Sequence, residues 1–196
     1  MGLVEFRRRN GGAPTSGQEG QVFKLPYNYT TAIGYGTPMI QLNTGYLGVA
    51  TTGGSVAIKG IFSGVTYISS ANGQTVTSRY WPGAGNVGTG DLQVTLWNDP
   101  DMVYIAQSYN TAIVFLDIGA NVNIQIGTPS STTGFSATTV DQSTLGVTTT
   151  LPFRIYGLLS QYQTASGAVD GTDDASAYNK VLVTCNYFDQ KSLDGI

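Results

Sequence analysis

Short runs of alternating apolar and polar residues follow one another through the middle of the chain. Residues 92–97 (LQVTLW) place one valine and two leucines on the same face of an extended strand, because successive side chains of a strand point to opposite sides. Turn residues interrupt these runs at Asn72-Gly73, a strong hairpin signal, and at residues 98–101, which read Asn-Asp-Pro-Asp. Residues 59–107 are therefore predicted to form successive antiparallel strands with short connections.

Further strands are predicted on both sides of this stretch. They lie at residues 38–42, 46–50, 151–156 and 180–185. Gly45 provides the turn of a hairpin between the first two, and Gly60 predicts a bulge or a close approach of two backbones. Residues 111–118 (TAIVFLDI) fit a strand by their β-branched content and a short helix by their length, so the pattern leaves both open.

Many short strands with almost no helix predict an all-β fold, which we expect to be a compact antiparallel β-barrel or sandwich (β-tulip-like) with an extended N-terminal arm. A chain of 196 residues is long enough for one such domain with a core of its own. The predicted division is an extended arm at residues 1–25, a single β domain at residues 26–190 and a C-terminal tail at residues 191–196.

The predicted arm is polar and glycine-rich after Phe6 and has no hydrophobic periodicity. Such a segment buries too little apolar surface to become ordered by itself, so it is either a loose tail or an arm that orders against a partner. In the second case its apolar side chains would anchor it, and its arginines would face acidic side chains of the partner. The predicted contact residues are Leu3, Val4, Phe6, Arg7, Arg8 and Arg9.

The composition favours a protein whose surface lies in contact with other proteins. Charged residues make up 11% of the chain, against about 25% in typical domains, and the net charge is −3. A nucleic-acid partner would require a basic face, which this balance does not favour. No apolar run reaches the length of a membrane helix, and no apolar segment of a signal peptide follows Arg7–Arg9. We therefore expect no nucleic-acid partner, no membrane partner and no export by a signal peptide.

The residues that carry most enzyme chemistry are scarce. The chain has no histidine, which excludes Ser-His-Asp triads, Cys-His dyads and conventional zinc sites. The single cysteine, Cys185, cannot form an internal disulfide and is interpreted as a small core residue. Asp99 and Asp101 fit a turn, and the acidic residues of segment 168–178 fit a solvated loop better than a calcium site. We expect no enzyme activity, no cofactor and no metal.

One glycine-rich loop carries aromatic residues near Ser78–Gly83. Its Tyr80 and Trp81 could stack a sugar or a base, but a plug at a barrel mouth or a contact with another subunit is favoured. Arg79, Tyr80 and Trp81 are therefore predicted to form a contact loop for another subunit or for a capsid.

The order of several motifs resembles that of the small structural proteins that coat or cement the capsids of tailed bacteriophages. The resemblance covers residues 25–190, and its motifs are mostly strand and turn residues. The matching pieces are Gly60–Tyr67, Ser78–Pro82, Asn98–Asp101 with Gln107, Asp117–Gly119 with Asn121, Leu151–Leu158, and Val181–Val183 with Asn186.

This resemblance implies a capsid decoration (cement) protein that lies on the outer surface of the phage head in the virion. Such proteins commonly form homotrimers, bind the major capsid protein and brace the shell against the pressure of the packaged DNA. The arm is not part of the family pattern, so its role rests on composition. The alternative is a receptor- or glycan-binding module, such as a head fibre or a lectin-like domain, which Tyr80, Trp81 and the acidic loop with Asp170, Asp173 and Asp174 would serve.

Overall fold

The computed structural model of the chain describes residues 1–9, 23–54, 57–83, 85, 87–88, 90–159 and 176–191. In these residues the backbone forms fourteen strands and two single-turn 3₁₀ helices, Phe115–Asp117 and Asp189–Lys191. The strands are β1 (Val4–Arg8), β2 (Phe23–Leu25), β3 (Ile33–Gly34), β4 (Pro38–Gln41), β5 (Leu47–Val49), β6 (Gly60–Ile68), β7 (Thr75–Ser78), β8 (Tyr80–Trp81), β9 (Leu92–Trp97), β10 (Met102–Gln107), β11 (Asn121–Gln125), β12 (Thr139–Gly146), β13 (Phe153–Leu158) and β14 (Lys180–Cys185).

The strands form two large sheets and one small ribbon. Sheet A has six strands in the order β1-β10-β14-β13-β11-β12. Sheet B has the order β2-β9-β6-β4-β5, with β7 paired to β6, and the ribbon consists of β3 and β8. All pairings between these strands are antiparallel. The predicted all-β class is confirmed.

Sheet B contributes buried side chains to two separate apolar clusters. Ile61 belongs to an apolar cluster shared with sheet A, whereas its neighbour Phe62 belongs to a second cluster that includes the ribbon residues Ile33 and Trp81. Adjacent residues of a strand point to opposite faces, so β6 contributes to both clusters. The layers are thus sheet A, sheet B and the ribbon, and the arrangement is the sandwich alternative with open sheets.

The first residues of the chain belong to this sandwich. β1 pairs with β10 along the edge of sheet A, and Leu3, which is 1% exposed, lies in the core shared by the two large sheets. The Leu3 amide donates a hydrogen bond to the Gly36 carbonyl oxygen at 3.1 Å. Gly36 has φ +87°, and a Cβ there would lie 2.4 Å from the Leu3 oxygen, so only glycine permits this approach.

The prediction of an extended arm at residues 1–25 is therefore wrong for both ends of that segment. Residues 3–8 are core and edge strand, and residues 23–25 are β2 of sheet B. These two strands are ordered by pairing with β10 and β9, which lie far along the chain, and the polar composition of residues 1–25 does not reveal that pairing. Residues 10–22 lie outside the described residues. At the other end, Lys191 closes the second 3₁₀ turn, and residues 192–196 also lie outside the described residues.

Candidate functional site

The predicted aromatic loop contains the two-residue strand β8 rather than an exposed tip. β8 pairs with β3, and this pairing sets Trp81 opposite Ile33 inside the second apolar cluster. Trp81 is 0% exposed, its indole nitrogen donates to the Tyr29 carbonyl oxygen at 3.2 Å, and its ring meets Tyr67 edge-on at 5.2 Å. The prediction that Trp81 contacts another subunit or a capsid is wrong, because the strand pairing turns the ring into the core.

Arg79 beside it is exposed and lies over a buried tyrosine. Its guanidinium is 5.3 Å from the centre of the Tyr35 ring, and the Tyr35 hydroxyl donates to the Glu5 carboxylate. Burial, together with the Glu5 carboxylate, raises the pKa of Tyr35 to about 12. Tyr35 therefore stays protonated at neutral pH and acts as a hydrogen-bond donor that holds β1 to the domain. Tyr80 is half-buried.

Two of the three arginines in β1 and just after it form ion pairs within the same chain. The Arg8 Nε atom is 2.5 Å from an Asp99 carboxylate oxygen, and Arg9 is 3.9 Å from Asp101. The Arg7 guanidinium lies 5.3 Å from the centre of the Phe6 ring. Arg8 and Arg9 were predicted to face acidic groups of a partner, but the Asn-Asp-Pro-Asp turn of the same chain provides those groups. Among the predicted contact residues, Phe6, Arg7 and Arg9 are exposed, and Val4 and Arg8 are half-buried.

Among the described residues, the longest run of exposed apolar side chains is the turn between β10 and β11 at residues 114–118, which we call the apolar turn. Phe115 is 69% exposed and Leu116 is 90% exposed, and Val114 and Ile118 are also exposed at its two ends. Single exposed apolar side chains are ordinary, but several in succession mark a contact surface in soluble proteins. This segment is the best candidate for a functional site.

Hydrogen bonds within the apolar turn and to the residues that flank it fix its conformation. The Asp117 carboxylate accepts a hydrogen bond from the Val114 amide at 2.8 Å, so the only charge in the turn is used to close it. The buried Asn179 side chain accepts from the Ile113 amide at 3.1 Å and donates to the Ile113 carbonyl oxygen at 2.8 Å. Arg154 donates from its Nε atom to the Gly119 carbonyl oxygen at 2.9 Å. A fixed apolar surface loses little conformational freedom when it binds.

Sequence reasoning left this segment undecided between strand and helix. The structure gives a single 3₁₀ turn, Phe115–Asp117, followed by a bend at Gly119. The signal that could have found the site is the run Val-Phe-Leu, which does not alternate and is too short for a helix.

An apolar cavity lies on another part of the surface, next to the start of β1. Its volume is about 600 Å³, and its lining includes Met1, Val4, Phe135 and Ala137. These residues present mostly carbon atoms, so the cavity suits an apolar group better than a charged one.

The described residues contain no group of three His, Cys, Asp or Glu side chains close enough to hold a metal ion. Asp170, Asp173 and Asp174 lie outside the described residues. Burial raises the pKa of the Cys185 thiol, which keeps it neutral and unreactive near pH 7. Over the described part of the chain, no helix has the length and hydrophobicity required to cross a bilayer.

Comparison with protein-family models, with curated proteins and with solved structures finds no match for this chain. The resemblance to phage decoration proteins stays a prediction from the sequence.

Proposed function

We propose that this protein is a structural capsid decoration (cement) protein that binds the outer surface of a phage head and bridges neighbouring major capsid proteins as a homotrimer. The observation that carries this proposal is the apolar turn, a fixed and exposed hydrophobic surface on a rigid sandwich. The resemblance of the strand and turn motifs supplies the identity of the partner.

The apolar turn suits contact with a protein surface. Phe115 and Leu116 expose their side chains where nothing in the described part of the chain covers them. Burying a side chain of this size contributes about 1.5–3 kcal/mol, so the pair can supply the centre of a modest interface. In a trimer, three such contacts engage one shell, and each bound contact raises the effective concentration of the others. Bridging of this kind would resist the separation of capsomers.

The alternative function, binding of a glycan or receptor, depended on an exposed aromatic pair. Trp81 is buried and cannot stack on a sugar, which removes one of its two supports. The other support, the acidic segment around Asp173, lies outside the described residues.

The test mixes purified protein with phage shells that lack it and measures the bound fraction by sedimentation. We expect the double variant Phe115→Ser, Leu116→Ser to bind at least about tenfold more weakly, because it removes most of the apolar area of the turn. Tyr27→Ser is the matched control, since Tyr27 is 60% exposed in a different loop. Equal binding by the double variant and the control would show that the turn is not the contact.

Light scattering on the free protein tests the oligomeric state. A mass of three chains at micromolar concentration, or three chains per bound site in micrographs of decorated shells, is the expected result. A monomer both in solution and on the shell would contradict the homotrimer.

A further inference from the structure

A second surface feature lies beside the apolar turn and has a different chemistry. It is a cleft of about 400 Å³ whose wall includes Ile118, the last residue of the turn, and three basic side chains, Arg9, Arg154 and Lys191. We call it the basic cleft. Its floor includes Thr184 of β14, which the sheet register pairs with Arg154 of β13.

The register explains why these two side chains meet. Val183 and Ile155 are paired and belong to the core, so the next residues along each strand, Thr184 and Arg154, point to the opposite face of sheet A. Arg154 is exposed on that face, and its Nε–H donates to the Gly119 carbonyl oxygen, which leaves the terminal N–H groups of the guanidinium for another acceptor.

The basic cleft is locally positive in a protein of net charge −3. The nearby carboxylate is Asp101, which is 3.9 Å from Arg9 and 3.4 Å from Lys191. The described residues that line the cleft thus include three cations and no carboxylate, and Asp101 offsets part of this positive charge. Three cations that line one cleft in a chain with only nine basic residues favour the binding of an anion there.

The floor of the basic cleft contains a buried hydroxyl group without a partner. Thr184 is 5% exposed, and its Oγ1 atom is buried and makes no hydrogen bond to any residue that the structure describes. Buried hydroxyl groups are nearly always satisfied, and an unsatisfied one destabilises the fold unless something else binds it. A hydroxyl group can donate to an anionic oxygen, which is the ligand that the surrounding cations also favour.

We propose that the basic cleft is an oxyanion site, in which a carboxylate or phosphate group accepts hydrogen bonds from Thr184 and ion pairs from Arg154 and Lys191. The neutral Cys185 thiol in its wall adds no opposing charge. Because Ile118 belongs to both features, the cleft and the apolar turn form one continuous surface. If the proposed function is right, the oxyanion is an acidic side chain of the shell protein that lies next to an apolar recess, and this identification alone rests on that function.

The oxyanion site is tested on the intact protein without any shell. Sodium phosphate and sodium acetate are titrated at an ionic strength kept constant with sodium chloride, and binding is followed by calorimetry and by the midpoint of thermal unfolding. We expect saturable binding, about tenfold weaker in Arg154→Gln and in Lys191→Gln, because each loses a charge-assisted contact. Lys24→Gln is the matched control, since it makes the same charge change on exposed Lys24 of sheet B.

The Thr184→Val variant tests whether the hydroxyl group itself binds the anion, because the substitution changes no charge. The substitution keeps the shape of the side chain and removes the hydroxyl group, so we expect about fivefold weaker binding together with a higher unfolding midpoint in anion-free buffer. No saturable binding of either anion to the wild-type protein would overturn the proposal. Equal weakening by Lys24→Gln and Lys191→Gln would also overturn it.

Shell binding then identifies the source of the oxyanion. If phosphate competes with shells and Lys191→Gln binds shells more weakly, a carboxylate of the shell protein occupies the site. If small anions bind but shell binding does not change, the site holds a free oxyanion. If the wild-type protein binds no shell, the decoration function fails, while the anion titration still decides whether the site exists.

Discussion

Two aromatic segments of this protein lie in opposite environments. The sequence predicted a surface loop at Trp81 and left the segment around Phe115 undecided between strand and helix. Trp81 lies in the segment that was predicted to be a glycine-rich loop and precedes Pro82-Gly83, yet it is 0% exposed. Phe115 lies in a run of apolar residues, the usual sign of a core, yet it is 69% exposed. Residue type alone therefore does not decide which aromatic side chain is available for binding.

The backbone pairing of each segment explains the difference. β8 pairs with β3, and that pairing directs Trp81 towards the second apolar cluster. In the apolar turn, the Asp117 and Ile118 amides donate to the carbonyl oxygens three residues before them, and the Asp117 side chain closes the turn onto Val114. A segment that satisfies its own backbone in a turn does not need a sheet neighbour, and its side chains are left pointing into solvent.

The largest effect on stability is expected at Trp81. We expect Trp81→Ala to lower the free energy of unfolding by about 3–5 kcal/mol, because it removes a large buried ring and leaves a cavity. Urea unfolding followed by circular dichroism measures this loss. A loss below about 1 kcal/mol would mean that Trp81 is not part of the core.

An intermediate effect is expected at Asn179, which supports the apolar turn from inside the protein. Asn179→Ala leaves the Ile113 amide and carbonyl groups without their side-chain partner, which should lower the free energy of unfolding by about 2 kcal/mol. Hydrogen exchange should accelerate at Ile113 and Val114 first. If exchange changes elsewhere and not in this turn, then Asn179 does not fix the turn.

The smallest effect on stability is expected at Phe115. Phe115→Ser changes an exposed side chain, so the free energy of unfolding should move by less than about 0.5 kcal/mol in the same urea experiment. Together with weaker shell binding, this result would separate a contact residue from a structural one. A loss of unfolding free energy similar to that of Trp81→Ala would mean that Phe115 is a core residue. The two aromatic segments would then not differ in environment.

Local pattern was sufficient where strands are joined by short turns. The alternation at residues 92–97 correctly predicted the buried face of β9, and Asn72-Gly73 joins β6 to β7 as expected. Gly60 was expected at a bulge or a close approach, and a Cβ there would lie 2.8 Å from the Trp97 carbonyl oxygen. The alternation and the hairpin turn depend on residues close in sequence, and Gly60 is recognised by its residue type, which is why the sequence alone reveals them.

Local pattern failed where order depends on distant segments. β1 was interpreted as part of an arm because its composition is basic and polar after Phe6, but its partner strand is β10. The arginines were assigned to an unknown partner because the spatial proximity of Arg8 to Asp99 cannot be seen in one sequence. The basic cleft was missed for the same reason, since its cations come from three separate parts of the chain.

The position of β14 has a consequence for how the protein is made. β14 lies between β10 and β13 in sheet A, and the ribosome produces it after both of them. Until residues 180–185 emerge, β10 and β13 cannot be joined, and each carries an edge that could pair with another nascent chain. Sheets assembled from distant segments also fold slowly. Sheet A therefore cannot form completely until β14 has been synthesised. High-level synthesis of this protein exposes its nascent chains to aggregation during that interval.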